Sequence, residues 1–197
     1  CPYAVIFFND TAYAFAKCKI TEKQKKILTG SHFSYPHSFL YDGKEYLLPE
    51  VASHSAPYFC DPHSPRQRFY LRGLEHLRIV DATMYFTQEN WFLFFGENHN
   101  AHTILNLWVA DSPHGVFMAH PESPIVMSPS EARMAGAVLN YKGRVLRFGQ
   151  NNSGEYGDSL AIMHITDLTA KSYAEKKLGM MSIDEFHGPH SIGFSPD

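Results

Sequence analysis

The sequence predicts an all-β protein built as a β-propeller, and two observations support this prediction. A hairpin pattern, in which a polar turn separates two short apolar runs, occurs in residues 79–100. The same pattern recurs in residues 36–50 and 135–150, so that the turns lie about 47 and about 53 residues apart. Any antiparallel sheet contains hairpins, but repetition at a period of about 40 to 50 residues without a helical pattern is typical of propeller blades.

The size of the chain limits how many domains it can form. It has 197 residues, of which 44% are hydrophobic, enough for one sizeable core or one repeat array. We therefore expect a single β-propeller domain over residues 1–197. Because the chain opens on Cys1 and runs almost directly into a strand, we also expect a fragment of a longer protein with an incomplete N-terminal blade.

The composition argues against several classes of protein. The net charge is −3 and basic residues are scattered apart from residues 23–26, so no face for a nucleic acid backbone is evident. No apolar run is long enough to span a bilayer. The 3 cysteines lack CxxC spacing, which argues against a disulfide framework and a zinc site. We expect no nucleic acid partner, no membrane span in this fragment and no cofactor; the composition does not indicate a compartment.

The first blades are predicted from alternation and breaks. Residues 4–20 alternate about a break at Asn9 and Asp10 and predict a hairpin in the outer part of a blade. Residues 21–33 form a polar connector that leads into the second blade at Ser34. That blade contains the hairpin of residues 34–50, with outer strands expected in residues 57–60 and 68–71.

The later blades follow the same plan. Residues 79–110 form the third blade, and residues 116–130, with three prolines, predict its last strand and a crossing loop. The fourth blade opens at residues 130–133 and has its third strand at 159–165. Residues 167–181 have the only helix-compatible composition and equally suit a surface connector. Residues 185–197 resemble the inner strand of another blade.

Polar residues recur at equivalent positions of these hairpins. One set lies near the start of the innermost strands and the other closes the next strands. The six residues are His37, Glu50, Asp81, Glu97, Arg133 and Gln150. Because blades are related by rotation about one axis, we expect these side chains to converge at one mouth, where carboxylates, an imidazole, a guanidinium and an amide suit a polyhydroxylated ligand.

Of two facing carboxyl groups, one can also act as the general acid and the other as the base or nucleophile, as glycoside hydrolysis requires. Asp81 and Glu50 are the candidate catalytic residues. For Glu97 we keep the alternative of a surface cap or ion pair, whereas Asp81 sits between apolar neighbours.

Two further motifs point to other chemistry. His99 with His102, and His187 with His190, have the i, i+3 spacing that suits a metal on a helix, but both pairs lie in loop-like sequence without a third ligand nearby. We therefore expect no metal site. The sequence GDSL at residues 157–160 matches a lipase motif in name, yet a strand follows it where that motif requires a helix.

Several short motifs, in this order and spacing, resemble a known family. The five-bladed propeller domain attached to plant glucosamine inositolphosphorylceramide transferases, and to some bacterial formyltransferase-like proteins, has a similar series. That domain is itself similar to the glycoside hydrolase family 43 superfamily. The motifs are SYPH at 34–37 with YDGKEYLLPE at 41–50, VDAT at 80–83, ADSPHG at 110–115, RMAG at 133–136 and QNNSGEYG at 150–157.

The resemblance implies a five-bladed propeller with a sugar-related role. In the family 43 pattern the base Asp falls before Cys1, and the acid Glu falls at residues 134–136, where this chain has only Glu131 nearby. Asp81 matches the Asp that tunes the pKa of the acid. We expect the remaining substrate-binding residues to be Tyr35, His37, Arg133, Gln150, Asn152, Tyr156 and His190.

The leading hypothesis is a carbohydrate-active propeller domain that binds a glycan or a nucleotide-sugar-derived substrate in an axial pocket. It would work with a glycosyl- or formyltransferase domain in the same polypeptide. Two alternatives stay open: an active glycosidase of the family 43 type, and a non-catalytic propeller for protein interaction.

Overall fold

The computed structural model describes residues 3–8, 11–16, 25–29, 34–155, 158–182 and 191–192, with side chains from residue 34 onward. These residues form β-strands and no helix, so the predicted all-β class is confirmed for the described part of the chain. The strands are β1 Tyr3–Phe8, β2 Thr11–Ala16, β3 Lys25–Thr29, β4 Ser34–Tyr41, β5 Lys44–Glu50, β6 Tyr58–Cys60, β7 Arg68–Tyr70, β8 Ile79–Phe86, β9 Trp91–Glu97, β10 Ile104–Ala110, β11 Met118–Ala119, β12 Val126–Met127, β13 Arg133–Met134, β14 Leu139–Tyr141, β15 Arg144–Asn151, β16 Ser159–Leu168 and β17 Tyr173–Met181.

The strands form four separate antiparallel sheets. An N-terminal sheet has the order β1-β2-β3, and it is followed by three sheets that we call the first, second and third meanders. The first meander is β4-β5-β6-β7, the second is β8-β9-β10-β11 with β12 also on β10, and the third is β13-β15-β16-β17 with β14 on β15. No helix in the described residues is long and apolar enough to cross a bilayer.

The predicted hairpins are present, and their turns explain the local sequence. Tyr41 pairs with Lys44 across Asp42 and Gly43, whose φ angles are 50° and 69°. Lys142 and Gly143 form the matching turn of the third meander, with φ angles of 50° and 78°. Two consecutive positive φ angles define the type I′ turn, which matches the twist of two adjoining strands and favours glycine.

The hydrophobic core lies between successive meanders, and β9 contributes to it on both faces. Leu93 and Phe95 pack with Phe39 and Phe59 of the first meander. On the opposite face of β9, Phe92 and Phe94 pack in the cluster that holds Met134 of the third meander. Because alternate side chains of a strand point to opposite faces, a strand buried on both faces has a continuous apolar sequence, as residues 91–95 do.

Other predicted strands also match the structure. The outer strands expected in residues 57–60 and 68–71 are β6 and β7, and the strand expected from Ser159 is β16. The N-terminal hairpin is β1 and β2, with Phe8 opposite Thr11. The last strand of the second meander is split into β11 and β12, both paired with β10, because the intervening segment contains prolines, which lack a backbone donor.

The prediction for residues 167–181 was wrong, because neither a helix nor a surface connector occurs there. β16 runs on to Leu168 and β17 returns from Tyr173. Register shifts at Ile162/Met163 and at Ile165/Asp167 interrupt the period of two, so alternation is not visible in the sequence.

The core of the third meander explains why β17 is a strand. The Arg147 side chain is fully buried, and it donates two hydrogen bonds of 2.8 and 2.6 Å to Glu175 of β17. The Tyr173 hydroxyl donates to the same carboxylate over 2.6 Å. A buried guanidinium requires such a partner, so this contact fixes the position of β17.

Of the predicted inner strand in residues 185–197, only Ser191 and Ile192 lie within the described residues. Ile192 forms a parallel bridge with Gly136, and its N–H donates to the Ala135 carbonyl over 2.7 Å. This short contact places residue 192 beside the first strand of the third meander.

Candidate functional site

Asp81 occupies an irregular position in β8. The pairing of β8 with β9 shifts register between Val80 and Thr83, so the strand bulges at Asp81. Its φ angle is 50° and the residue is buried. A left-handed conformation is uncommon for a residue other than glycine, and such strained residues concentrate at functional sites.

The first meander contains an equivalent bulge. β4 shifts register against β5 between Ser34 and His37, and Tyr35 has a φ angle of 42°. The motifs SYPH and VDAT therefore adopt matching irregular backbones in neighbouring sheets. Bulges direct side chains away from the regular pleat, which here brings polar groups of different sheets together.

Glu50 connects the first two meanders. It lies at the end of β5 opposite Ser34, and it is buried. Its Oε1 accepts a hydrogen bond of 2.6 Å from the Ser34 hydroxyl. Its Oε2 accepts the backbone N–H of Asp81 over 2.9 Å, so Glu50 holds the strained residue of the neighbouring sheet in place.

Arg133 brings the third meander to the same centre. Its Nε donates to Asp81 Oδ2 in a buried ion pair, with side-chain exposures of 15% for Arg133 and 5% for Asp81. Its guanidinium NH1 also lies 3.4 Å from His102 Nδ1. The predicted residues Glu50, Asp81 and Arg133 thus meet, although they belong to three different sheets; we call these three residues the acid–guanidinium centre.

The environment of Asp81 raises the pKa of its carboxyl toward neutral pH. Burial raises the pKa of its carboxyl from an ordinary 3.8 to about 7, the Arg133 charge opposes this rise, and the charge and hydrogen bonding of Glu50 add to it. The hydrogen bond between these two residues joins the Asp81 backbone N–H to Glu50 Oε2 over 2.9 Å.

Tyr35 and His37 contact neighbouring sheets. Gly136 N–H donates to the Tyr35 hydroxyl over 2.7 Å, and the Thr83 hydroxyl lies 2.8 Å from the same oxygen. Burial, aided by the charge of Asp81, raises the pKa of Tyr35 far above its usual range. The N–H of Met84 donates to His37 Nε2 over 3.0 Å, and burial lowers the pKa of His37 to about 4, so the ring is neutral.

The remaining predicted residues are distributed around the centre. Gln150 is buried opposite Arg133, and its amide donates to the Met134 carbonyl over 3.2 Å. Asn152 is half-buried, and its backbone N–H donates to Pro129 over 2.8 Å. Tyr156 and His190 lie outside the described residues.

The other acids that the sequence offered have other partners. The carboxylate of Glu97 lies 3.9 Å from His99 on the protein surface. Glu131 accepts a hydrogen bond of 2.7 Å from Lys177, which lowers the pKa of Glu131. Within the described residues, no group of three or more His, Cys, Asp or Glu side chains is placed to hold a metal ion.

Three residues beside the centre were not selected from the sequence as ligand-binding candidates. Ser34 contacts Glu50, Thr83 contacts Tyr35, and His102 contacts Arg133. The hydroxyls of Ser34 and Thr83 carry no pattern that separates them from other strand residues. His102 was considered only as half of a metal pair with His99, and its proximity to Arg133 depends on contacts between sheets.

The fold and the centre define a class: an all-β domain of antiparallel meanders, with a buried cluster of two acids and a guanidinium where three sheets meet. A model of the family described as "Glucosamine inositolphosphorylceramide transferase 1, N-terminal" matches residues 23–191. The chain belongs to this family, which confirms the resemblance seen in its motifs.

Curated relatives carry the same description. The chain is 28% identical over 158 residues to glucosamine inositolphosphorylceramide transferase 1 of Oryza sativa subsp. japonica, and 26% identical over 153 residues to that of Arabidopsis thaliana. Each match covers 73% of this chain and 20% of the relative. The matched region therefore corresponds to a fifth of the length of these proteins.

Among solved structures, an exo-1,5-alpha-L-arabinanase from a bovine ruminal metagenomic library is similar at a TM-score of 0.47 and 10% identity. The superposition covers 88% of this chain and 76% of the arabinanase chain. A likeness at this level says nothing about the chemistry of this chain.

Proposed function

We propose that this chain is a carbohydrate-binding domain whose ligand binds at the acid–guanidinium centre. The observation that carries the proposal is Asp81 itself. It is a buried acid in a left-handed conformation, held by Glu50 of one sheet and Arg133 of another. Maintaining such strain requires support from the surrounding structure, and this kind of support is typical of binding and catalytic sites.

The proposed fold is a five-bladed β-propeller in which each meander is one blade. Each meander consists of strands that are consecutive or nearly consecutive in the chain, as blades do. The first strands of successive meanders are neighbours, since β4 contacts β8 and β8 contacts β13. In a propeller this arrangement places the first strands around the axis, with the centre at one end of it.

The chemistry of the centre favours binding of hydroxyl groups. A sugar hydroxyl both donates and accepts hydrogen bonds. The centre offers carboxyl and guanidinium groups, and Gln150 opposite Arg133 adds an amide beside them. The partners of the two acids favour this role over hydrolysis. Asp81 is ion-paired with Arg133, and Glu50 accepts hydrogen bonds from the Ser34 hydroxyl and the Asp81 backbone N–H, so both carboxyls help to hold the site together.

The proposed biological setting is transfer of a sugar. The curated relatives are named as transferases for glucosamine and inositolphosphorylceramide, and the matched region is a fifth of their length. We infer that the domain serves a glycosyltransferase domain in the same polypeptide, by binding a glycan or a nucleotide-sugar-derived substrate.

A binding screen tests the proposal. The full-length protein is titrated with N-acetylglucosamine, glucosamine, myo-inositol and a uridine diphosphate sugar, and calorimetry or ligand-observed NMR measures binding. We expect Asp81→Asn to weaken binding of at least one probe by about 10-fold or more, because a hydrogen bond to a charged group is worth about 1.5–3 kcal/mol. Asp42→Asn, an exposed turn residue in the same backbone conformation, is the matched control and should leave binding unchanged.

Two outcomes contradict the proposal. In one, no sugar or cyclitol probe binds the unsubstituted protein. In the other, a probe binds Asp81→Asn and the unsubstituted protein equally well.

A further inference from the structure

His102 lies in a tight loop between β9 and β10. Backbone hydrogen bonds within the loop and the packing of Ala101 hold this loop in place. Asn100 N–H donates to the Glu97 carbonyl, and Thr103 N–H donates to the Asn100 carbonyl, both over 2.9 Å. Ala101 is buried directly against Gly96, where an added Cβ would lie 2.7 Å from the Ala101 Cα. The loop therefore has little freedom to move the next residue, His102.

The anchor of this loop is shared with the acid–guanidinium centre. Ala101 packs with Ala52 and Val80 in a small buried cluster. Val80 directly precedes Asp81, Ala52 follows Glu50 by two residues, and Ala101 directly precedes His102. One apolar cluster thus fixes the backbone beside all three polar residues.

The hydrogen bond from Arg133 determines how His102 presents its ring. Arg133 NH1 has only hydrogens to donate, so His102 Nδ1 accepts over 3.4 Å and the ring proton of the neutral imidazole lies on Nε2. Burial and the Arg133 charge both lower the pKa of His102, which keeps the ring neutral near pH 7.

A chain of contacts therefore runs from the buried carboxyl of Asp81, through Arg133, to the exposed imidazole of His102. His99 differs, although it lies three residues away and is also exposed. Its Nδ1 faces the Glu97 carboxylate at 3.9 Å instead of the centre. The two histidines of the sequence motif thus have separate environments.

We propose that His102 is a specificity-determining contact of the ligand, and that its Nε2–H donates to a hydroxyl oxygen of an uncharged ring, a sugar or a cyclitol. This inference rests on the proposed function and narrows it, because it selects the sugar or cyclitol part of a ligand over a phosphate.

The charges around His102 favour an uncharged group. The Arg133 guanidinium is already paired with Asp81, and Glu50 adds a second acid beside them. His102 itself is neutral. A phosphate would therefore find no uncompensated positive charge among these residues, whereas phosphate sites usually supply a charged donor. A hydroxyl needs only one donor and one acceptor, and the His102 Nε2–H and the carboxyls of the acid–guanidinium centre can supply them.

Binding measurements on the full-length protein test the proposal. The probes are myo-inositol, N-acetylglucosamine and inorganic phosphate. His102→Phe keeps a ring but removes the donor, and we expect it to weaken binding of the uncharged probe by about 3- to 10-fold. His102→Gln, which restores an amide donor at similar reach, should recover part of the loss. His99→Phe is the matched control and should bind as the unsubstituted protein does.

The outcomes separate this inference from the proposed function. Binding of an uncharged probe that is weakened by Asp81→Asn but unaffected by His102→Phe would overturn the inference alone. Absence of binding by every sugar and cyclitol probe would overturn the proposed function together with it. Tighter binding of inorganic phosphate than of myo-inositol would overturn the assignment of ligand class.

A second measurement does not require a ligand. Proton–nitrogen correlation spectra of histidine-labelled protein report which ring nitrogen is protonated, and the His102→Phe spectrum assigns the signal. We expect the Nε2–H form for His102, and a shift toward a mixture of forms in Arg133→Met. The Nδ1–H form in the unsubstituted protein would overturn the geometry on which the proposal depends.

Discussion

At the scale of single residues, burial has opposite effects on Asp81 and His37. Burial disfavours the charged form of each, so it raises the pKa of Asp81 to about 7 and lowers the pKa of His37 to about 4. Both residues are therefore shifted toward their neutral forms at mildly acidic pH. Their contributions to stability have opposite signs over this range, and only variants can separate them.

The pH dependence of stability tests the protonation of Asp81. Between its ordinary pKa of 3.8 and its folded value of about 7, the folded chain binds more protons at this residue than the unfolded chain. The contribution of Asp81 to stability is thus greatest below about pH 4 and declines as the pH rises to about 7. We expect Asp81→Asn to lack this decline, so its free energy of unfolding rises relative to the unsubstituted chain by a few kcal/mol across the window.

Urea denaturation between about pH 4 and about pH 8 measures this difference. His37 adds stability that is lost as the pH falls from 6.5 to about 4, but it is present in both chains and cancels in the comparison. Asp42→Asn should follow the unsubstituted chain. Parallel curves for Asp81→Asn and the unsubstituted chain would show that Asp81 does not titrate in this window.

At the scale of elements, the end of each central hairpin depends on a small or rigid residue before the closing one. The three dipeptides are Pro49-Glu50, Gly96-Glu97 and Gly149-Gln150. A Cβ on Gly149 would lie 2.1 Å from the Glu131 carbonyl oxygen, and one on Gly96 would lie 2.7 Å from Ala101. Close approach of a neighbouring backbone explains these two glycines, because neither has a positive φ angle.

Gly96→Ala tests this close approach. The added methyl group would displace Ala101 from its buried cluster, and overpacking of this kind costs about 1–3 kcal/mol. Gly179→Ala in β17 is the control, since nothing lies within 4 Å of its added Cβ, and it should change stability by less than about 0.5 kcal/mol. Thermal or urea denaturation measures both variants. Equal stabilities would contradict the described contact between the β9 end and the following loop.

At the scale of the whole molecule, Tyr35 joins all three meanders. It lies in β4 of the first meander, its hydroxyl is 2.8 Å from Thr83 of the second, and it accepts from Gly136, just after β13 of the third. A single phenol thus satisfies polar groups of two other sheets beside the acid–guanidinium centre. Its contribution is to the packing of the sheets around that centre.

Tyr35→Phe tests this connection. The variant leaves the Gly136 N–H without its acceptor, and an unsatisfied buried group costs about 1–3 kcal/mol. We expect the free energy of unfolding to fall by that amount and hydrogen exchange at the Gly136 amide to become faster. Tyr141→Phe, whose residue is 53% exposed, should be nearly neutral. An unchanged exchange rate at Gly136 in Tyr35→Phe would contradict the role of the hydroxyl.

The local features of this protein could be predicted from its residues alone. Alternation and turn residues such as Gly43 and Gly143 specify hairpins, because turn geometry and strand period act over a few residues. The repetition of those hairpins placed Asp81 and Arg133 at equivalent positions near the start of the innermost strands and Glu50 at the end of the adjoining strand, and the structure brings these three residues together. Local interactions were sufficient to predict the hairpins, and the internal repeat was sufficient to predict where their polar residues lie.

Which polar groups face one another depends on how the sheets pack, and the residue pattern does not predict it. β16 and β17 contain register shifts that break the period of two, and the buried ion pair of Arg147 with Glu175 joins residues far apart in the chain. The contact of His102 with Arg133 likewise depends on the packing of one sheet against the next. The strength of such contacts depends on how closely the sheets pack and on how well they exclude water. The spacing of residues along one strand does not predict either quantity.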